Sequence, residues 1–349
     1  MPFYTDWGFA PFFADAIASD EGAPLVPARV VEPGKNEIRI VTEQGTRIAE
    51  PSGRIDDGQW PPAAGDWVIA LPLDDERALV HRLLPRTNGL ARSGGARAQP
   101  LAANLDAAFL ILALGEPLRL NLVERGLALI RGGSVSPVVI LTKADLAEDP
   151  EGERQRVLEV AGDAPVLAVS VVTGEGIDAV ATLVPCGVTV ALLGKSGAGK
   201  SSLVNRLAGE ELMATGAVRE GDHKGRHTTT TRRLLKLPGR GIVVDLPGFR
   251  ELGLTGDEAQ GIEETFDDIV TLASQCRFGD CSHEGEPGCA VTAAVTEGRL
   301  DRRRFESYRK LLREAASAHL RADEAKRRAA DKRFGKMVKQ VMKTKKGKR

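Results

Sequence analysis

Aromatic residues are scarce, with ten Phe, three Trp and two Tyr in 349 residues. A core of this chain must therefore be mostly aliphatic. Much of the aromatic content sits at the start, in Phe3, Tyr4, Trp7, Phe9, Phe12 and Phe13, which reads as a helix or arm docked on a neighbouring domain. Cysteine is scarcer still at four residues, which argues against a disulfide framework and for a reducing compartment. No apolar run approaches the roughly 18 residues of a membrane span, and the N-terminus lacks a basic segment followed by an apolar one. A cytoplasmic protein without membrane contact is the expectation. Net charge is absent too, with 48 Lys+Arg against 48 Asp+Glu. The balance hides an asymmetry: residues 301–349 hold 19 Lys/Arg and 6 Asp/Glu, so the rest of the chain is acidic by about 13 charges.

The length predicts two or three domains. Between residues 26 and 85, short β-rich runs (28–31, 37–41, 65–70 and 78–83) are separated by Gly, Pro and Asp turns. That spacing predicts a small all-β, OB-like barrel. Such a barrel can bind RNA through a sheet face or only pack on its neighbour. Residues 86–100 read as a flexible basic linker. Strands and helices then alternate: 107–114, 137–141, 165–172 and 187–193 as strands, with helices at 120–131 and 176–184 and another between 141 and 165. This is the pattern of a parallel sheet covered on both faces, whose ligands bind at the carboxyl ends of the strands.

The most specific stretch is Gly194, Lys195, Ser196, Gly197, Ala198, Gly199, Lys200, Ser201 and Ser202, which fits the phosphate-binding P-loop G-x-x-x-x-G-K-[ST]. A strand precedes it and a helix follows, as the motif requires. The glycines turn backbone N–H groups onto phosphate oxygens, Lys200 supplies a cation, and the Ser201 hydroxyl can ligate Mg²⁺. Upstream, Thr142, Lys143, Ala144 and Asp145 end one strand and Ser170 opens S-x-x-T-G-x-G at the end of the next. A carboxylate at Asp145 can accept from the N1–H and 2-amino groups of guanine, which adenine does not offer. Lys143 would lie along the base, and Ser170 or its backbone would contact the guanine carbonyl. Downstream, the 225–231 loop GRHTTTT places His227 and Thr229 as switch residues, with Thr229 closing the Mg²⁺ shell. Asp245 and Gly248 form D-x-x-G, with Asp245 toward Mg²⁺ and the Gly248 N–H toward the γ-phosphate. Phe249 follows, where ordinary GTPases place a water-orienting glutamine. A phenyl ring cannot position water, so either hydrolysis is slow until a partner assists or another residue substitutes, with His227 the nearest candidate.

Cys276, Cys281, His283 and Cys289 offer three thiolates and an imidazole, enough for one closed structural Zn²⁺ site per chain. Residues 257–274 and 300–320 flanking the cluster read as helices. The basic segment from 321 onward reads as a helix end and mobile tail, either a solvated charged face or a phosphate contact.

The motif order is inverted. In ordinary GTPases the P-loop and switches come first and the guanine motifs last, whereas here TKAD and SVVTGEG precede GKSGAGKSS, GRHTTT and DLPGF. Circular permutation accounts for this without altering the site. This order, with the aromatic DWGFAPFF start, GDWV, Ala102–Asp106 and the Cys/His cluster, resembles the RsgA family of circularly permuted GTPases that assist late assembly of the bacterial small ribosomal subunit. The resemblance spans about residues 5–315. It implies an N-terminal OB-fold, a C-terminal helical zinc domain, GTP hydrolysis to GDP stimulated by the small subunit and its rRNA, and His227 as the hydrolytic residue. The chain departs at Thr142, where Asn is frequent, and at Val171, where Ala is. The expected architecture is an arm and OB-fold over 1–90, a permuted P-loop GTPase domain over 91–255, a zinc-binding helical domain over 256–320 and a basic tail over 321–349, acting as a monomer. Two other classes fit parts of the pattern: an ATP-dependent small-molecule enzyme, and an RNA-binding chaperone that keeps GTP as a structural ligand.

Overall fold

The structure, a computed structural model, describes residues 2–9, 13, 24–34, 37–52, 62–92, 98–214, 232–246 and 258–346. Strands β1 (Val26–Glu32), β2 (Ile38–Thr42), β3 (Gly45–Pro51), β4 (Trp67–Pro72) and β5 (Arg77–Leu83) close into a barrel in the order β1-β2-β3-β5-β4. Its interior is aliphatic, around Val30, Ile38, Ile40, Val68 and Val80. Sequence periodicity yields four of the five strands and misses β3. There the usual pattern is reversed: Arg47 points inward and Ile48 outward. Arg47 is tolerated inside because its guanidinium donates to Thr42 Oγ1 at 2.7 Å, Asp74 O at 2.9 Å and Gln44 Oε1 at 3.1 Å.

The aromatic start docks as expected. Helix α1 (Pro2–Asp6) leads into Phe9, whose ring meets Trp67 edge-on at 4.7 Å, and Phe13 completes a cluster with Trp67, Ile69 and Leu84. The segment read as a flexible linker is instead structured at both ends. Strands β6 (Gly89–Arg92) and β7 (Gln99–Ala103) pair antiparallel. The barrel packs on β7 through an Ala64–Ala102 bridge, and a Cβ on Gly65 would lie 2.3 Å from Ala103 O. Such close backbone approach explains a glycine at φ +94°.

The central sheet has six strands in the order β10-β9-β8-β11-β13-β12. These are β8 (Ala107–Ala113), β9 (Ser136–Thr142), β10 (Val166–Ala168), β11 (Thr189–Gly194), β12 (Leu234–Lys236) and β13 (Ile242–Asp245), all parallel except β12 on β13. The connecting helices are α2 (Leu120–Gly132), α3 (Pro150–Ala161), α4 (Ile177–Thr182) and α5 (Lys200–Ala208). Strand β10 stops short of the expected 165–172 because the chain turns at Ser170, whose backbone N–H bonds Glu175 O at 3.0 Å. Val172 consequently faces solvent.

The expected 257–274 helix is broken into α6 (Ala259–Thr265) and α7 (Asp267–Ala273) at the buried Phe266. After α8 (Ala290–Thr296), helix α9 (Arg302–Lys346) runs well beyond residue 320. Its backbone continues helically through most of the segment read as a mobile tail, since nothing in residues 321–346 is proline and its one glycine, Gly335, does not interrupt it. Helix α6 lies against α2 with almost no gap: a Cβ on Gly261 would fall 2.2 Å from Gly132 N.

Candidate functional site

Strand β11 is central, flanked by β8 and β13, so the loop leaving it reaches the middle of the sheet's carboxyl edge. Gly194 must lack a side chain, because a Cβ there would sit 2.5 Å from Ile111 O on β8. Gly197 and Gly199 take φ of +79° and +87°, and Gly199 caps α5. Backbone N–H groups are thus gathered at a helix N-terminus, an arrangement suited to phosphate. Lys200 folds back to donate to Gly194 O at 2.8 Å and Lys195 O at 3.1 Å. Ser201 and Ser202 follow in the first turn of α5.

From β9, Thr142 donates to Ala198 O at 2.7 Å and so ties the guanine-motif strand to the P-loop. Position 142 is therefore a tether between the two motifs, a role that motif matching alone does not reveal. Lys143 takes a left-handed conformation at φ +58°, and Ala144–Leu146 form a single 3₁₀ turn pinned by Ala144 N on Val169 O. The turn brings Asp145 to Ser170: Ser170 Oγ donates to Asp145 Oδ1 at 2.5 Å and accepts from Thr173 N at 3.1 Å. The two guanine motifs therefore meet across β9 and β10.

A cavity of about 480 Å³ opens beside this turn, lined by Lys143, Leu146, Lys195–Ala198 and the 111–119 segment that leaves β8. Asp145 is one residue from the wall. The 114–119 segment was not singled out from the sequence. The signal is Gly115, two residues after the end of β8, whose carboxyl edge faces the ligand side of such sheets; it takes φ +93°.

Asp245 ends β13 beside Leu192 of the P-loop strand. Burial pushes its carboxyl pKa up, and the nearby Lys200 cation opposes that; burial lowers Lys200, with Asp245 opposing. Asp245 Oδ1 is buried without a hydrogen-bond partner among the described residues. An orphaned buried carboxylate oxygen beside a phosphate loop fits a Mg²⁺ shell, which Ser201 Oγ could share. His227, Thr229, Gly248 and Phe249 lie outside the described residues.

The second cluster is in the loop between α7 and α8. One ligand atom from each of Cys276, Cys281, His283 and Cys289 lies within 4.8 Å of the others. Cys276 Sγ is 3.9 Å from Cys289 Sγ, and His283 Nδ1 is 3.4 Å from Cys289 Sγ. Sulfurs about 3.8 Å apart are what a tetrahedral zinc with bonds near 2.3 Å demands. His283 reaches inward from a left-handed backbone at φ +59°. Burial works against ionising Cys289, yet donors from Thr292 and the contact with His283 hold its thiol at about 6, while burial pushes Cys281 up to about 11. Cys289 caps α8, accepting from Thr292 N at 3.4 Å. The donor set is consistent with a closed zinc site.

The chain is similar to known proteins in sequence and fold. A profile described as RsgA GTPase matches residues 83–255. A "Small ribosomal subunit biogenesis GTPase RsgA" from Opitutus terrae is 42% identical over 346 residues, covering 95% of this chain and 94% of that relative. The protein of the same name from Streptomyces coelicolor is also 42% identical, covering 98% of this chain and 96% of its own. The crystal structure of YjeQ from Thermotoga maritima superposes with a TM-score of 0.62 at 27% identity, over 84% of this chain and 99% of that one. The fold is shared as well with YloQ, described as a circularly permuted GTPase, at a TM-score of 0.61 and 23% identity.

Proposed function

The chain belongs to the RsgA family of small ribosomal subunit biogenesis GTPases, and from that premise we propose that it binds the small subunit, hydrolyses GTP to GDP and phosphate there, and acts in the subunit's late maturation. The observation that carries the reading is the junction of motifs at one sheet edge: Thr142 bonded to the P-loop at Ala198 and Asp145 bonded to Ser170. In this reading Asp145 accepts from the guanine N1–H and 2-amino groups, with Ser170 fixing its orientation. Lys143 covers the base, and the 194–202 amides and Lys200 take the phosphates. Ser201 and Thr229 would hold magnesium, with Asp245 reaching it through water, and the ion would neutralise β- and γ-phosphate charge when bound. His227 orients water on the docked protein, in place of the glutamine that Phe249 replaces, and Gly248 meets the γ-phosphate. Zinc on Cys276, Cys281, His283 and Cys289 is structural, because all four positions of its shell are filled by protein. Residues 1–90 and the basic segment beyond 320 serve as contact arms for rRNA, the 91–255 domain as timer and 256–320 as its output domain. A cytoplasmic monomer suits that partner. No helix among the described residues is long and apolar enough to cross a membrane.

The test is single-turnover hydrolysis of labelled GTP with and without purified small subunits. Rate enhancement by small but not large subunits is the expected result. It should be lost in His227→Ala, while GTP binding is retained. Equal competition by ATP would defeat the guanine assignment of Asp145, and an unstimulated rate would sink the functional reading.

A further inference from the structure

A second cavity, of about 630 Å³, lies where α2 and α3 meet α9. Its wall carries Arg119, Arg125, Arg156, Arg303 and Lys310 against one carboxylate, Glu306. Three of these cations have carboxylate partners outside the wall: Arg125 with Glu314, Arg156 with Glu153 at 2.9 Å, and Arg303 with Glu124 at 3.0 Å. Those pairs fix the guanidinium groups in place. Even with all three partners counted, positive charge is in excess, and neither Arg119 nor Lys310 has a carboxylate partner among the described residues. The first turn of α2 also opens here. It has no side-chain cap and no acidic residue, and the residue at its cap position is Arg119 itself. A cleft combining guanidinium groups held in ion pairs, a net positive charge of one and a helix N-terminus without a side-chain cap is shaped for phosphate oxygens.

The cleft also shares a wall with the nucleotide cavity. Leu118, Arg119 and Leu122 line both. Beyond the cleft, α9 carries Arg321, Arg327 and Arg328 against Asp323 and Glu324, and the sequence from 321 to 349 holds 13 Lys/Arg and 3 Asp/Glu, more positive charge than one small anion would need. We propose that this cleft seats backbone phosphates of RNA, and that filling it acts on the nucleotide through the shared 118–122 wall. The inference rests on the function proposed above and gives its RNA partner a seat on the G domain.

The test compares the full-length protein with the double variant Lys310→Glu/Arg156→Glu on purified small subunits over a series of salt concentrations. Loss of two phosphate contacts should lower affinity by about tenfold or more and flatten the log Kd against log salt slope by about 1.4–1.8. Subunit-stimulated hydrolysis should fall, with the subunit-free rate unchanged, and Lys310→Arg/Arg156→Lys should restore binding. Unchanged affinity and slope in a variant whose parent is stimulated would overturn the cleft and leave the function standing. If the parent is neither bound nor stimulated, the functional reading fails. The cleft is then judged on an RNA hairpin, where equal binding by both proteins overturns it. Binding of inorganic tripolyphosphate that is lost in the variant, alongside unchanged subunit affinity, would make this a small-anion site and also overturn the proposal. A benzoylphenylalanine crosslinker in place of Asn121, an uncharged residue of the cleft wall, should label rRNA, and labelling of a ribosomal protein instead counts against it.

Discussion

The G domain is joined to its two neighbours by junctions of opposite sign. On the barrel side a buried cation is central. Arg29, 1% exposed, donates to Trp7 O in the arm, to Asn104 O at 3.2 Å just before β8, and makes a long contact of 3.4 Å to Gly65 O. Burial pushes its pKa down to about 10, with Asp106 and Asp66 opposing, so it stays charged at neutral pH. Asp66 is already engaged by Arg86 at 2.6 and 2.7 Å. On the C-terminal side a buried anion is central. Glu124 of α2, 0% exposed, accepts from Arg303 at 3.0 and 3.1 Å and from Arg304 at 3.2 Å. Arg304 also grips Asp268 at 2.7 Å and lies over the Phe266 ring. One junction thus holds its charge on carbonyl dipoles, the other on opposite charges. Truncation should therefore strand only dipoles at the first and a full charge at the second.

Four perturbations sharpen that difference. Zinc removal has the largest expected effect and a one-sided one. On the proposed zinc reading, a chelator should abolish hydrogen-exchange protection between about residues 274 and 296, since a closed Cys₃His shell would supply the folding energy of a loop with so few apolar residues. Barrel protection should stay intact; parallel loss on both sides would mean the junctions are not independent. Next is Arg303→Met/Arg304→Met, which leaves Glu124 buried without a cation. A cost of about 3–5 kcal/mol in denaturant unfolding is expected, and adding Glu124→Leu should recover much of it. Arg29→Met should cost less, about 2 kcal/mol, because its partners are carbonyls and desolvation of the cation is relieved at the same time. A larger loss for Arg29 than for the arginine pair would reverse the comparison.

The contrast was partly legible in the sequence. Barrel, parallel sheet and C-terminal helices follow from periodicity, and P-loop, TKAD, serine motif and Cys/His cluster from spacing, because in each the chemistry fixes residue types at short range. What escaped depended on partners distant in the chain. Nothing local marks Glu124 as the anion for arginines about 180 positions later. Arg47 inside a barrel is legible only once Thr42 and Asp74 are seen around it. Residues 86–100 resemble a linker by their Arg, Ser and Gly content, yet their ends pair because Asn88 holds Leu105 through both backbone groups, at 2.7 and 2.8 Å. Thr142 looked like a departure from a motif and is instead the bond that joins two motifs.

The smallest effect should come from the surface pair beside the barrel junction. Lys236 reaches Asp6 of the arm at 2.9 Å, with both side chains about a third exposed, and the Cys186 thiol donates to the same carboxylate at 3.1 Å. The Lys236 hydrogen bond, seconded by Cys186, holds the Asp6 carboxyl below its ordinary value. That shift belongs to a solvent-facing group whose attraction water and salt screen. Asp6→Asn should therefore leave the unfolding midpoint where it was in physiological salt. Lys236→Ala should lose slightly more, about 0.5–1 kcal/mol, because its ammonium also lies 5.6 Å from the Trp7 ring. Trp7 is the residue whose carbonyl Arg29 holds. If Asp6→Asn destabilises as much as Arg29→Met, and added salt removes the difference, the arm is docked by surface charge. The buried cation would then be a passenger at its own junction.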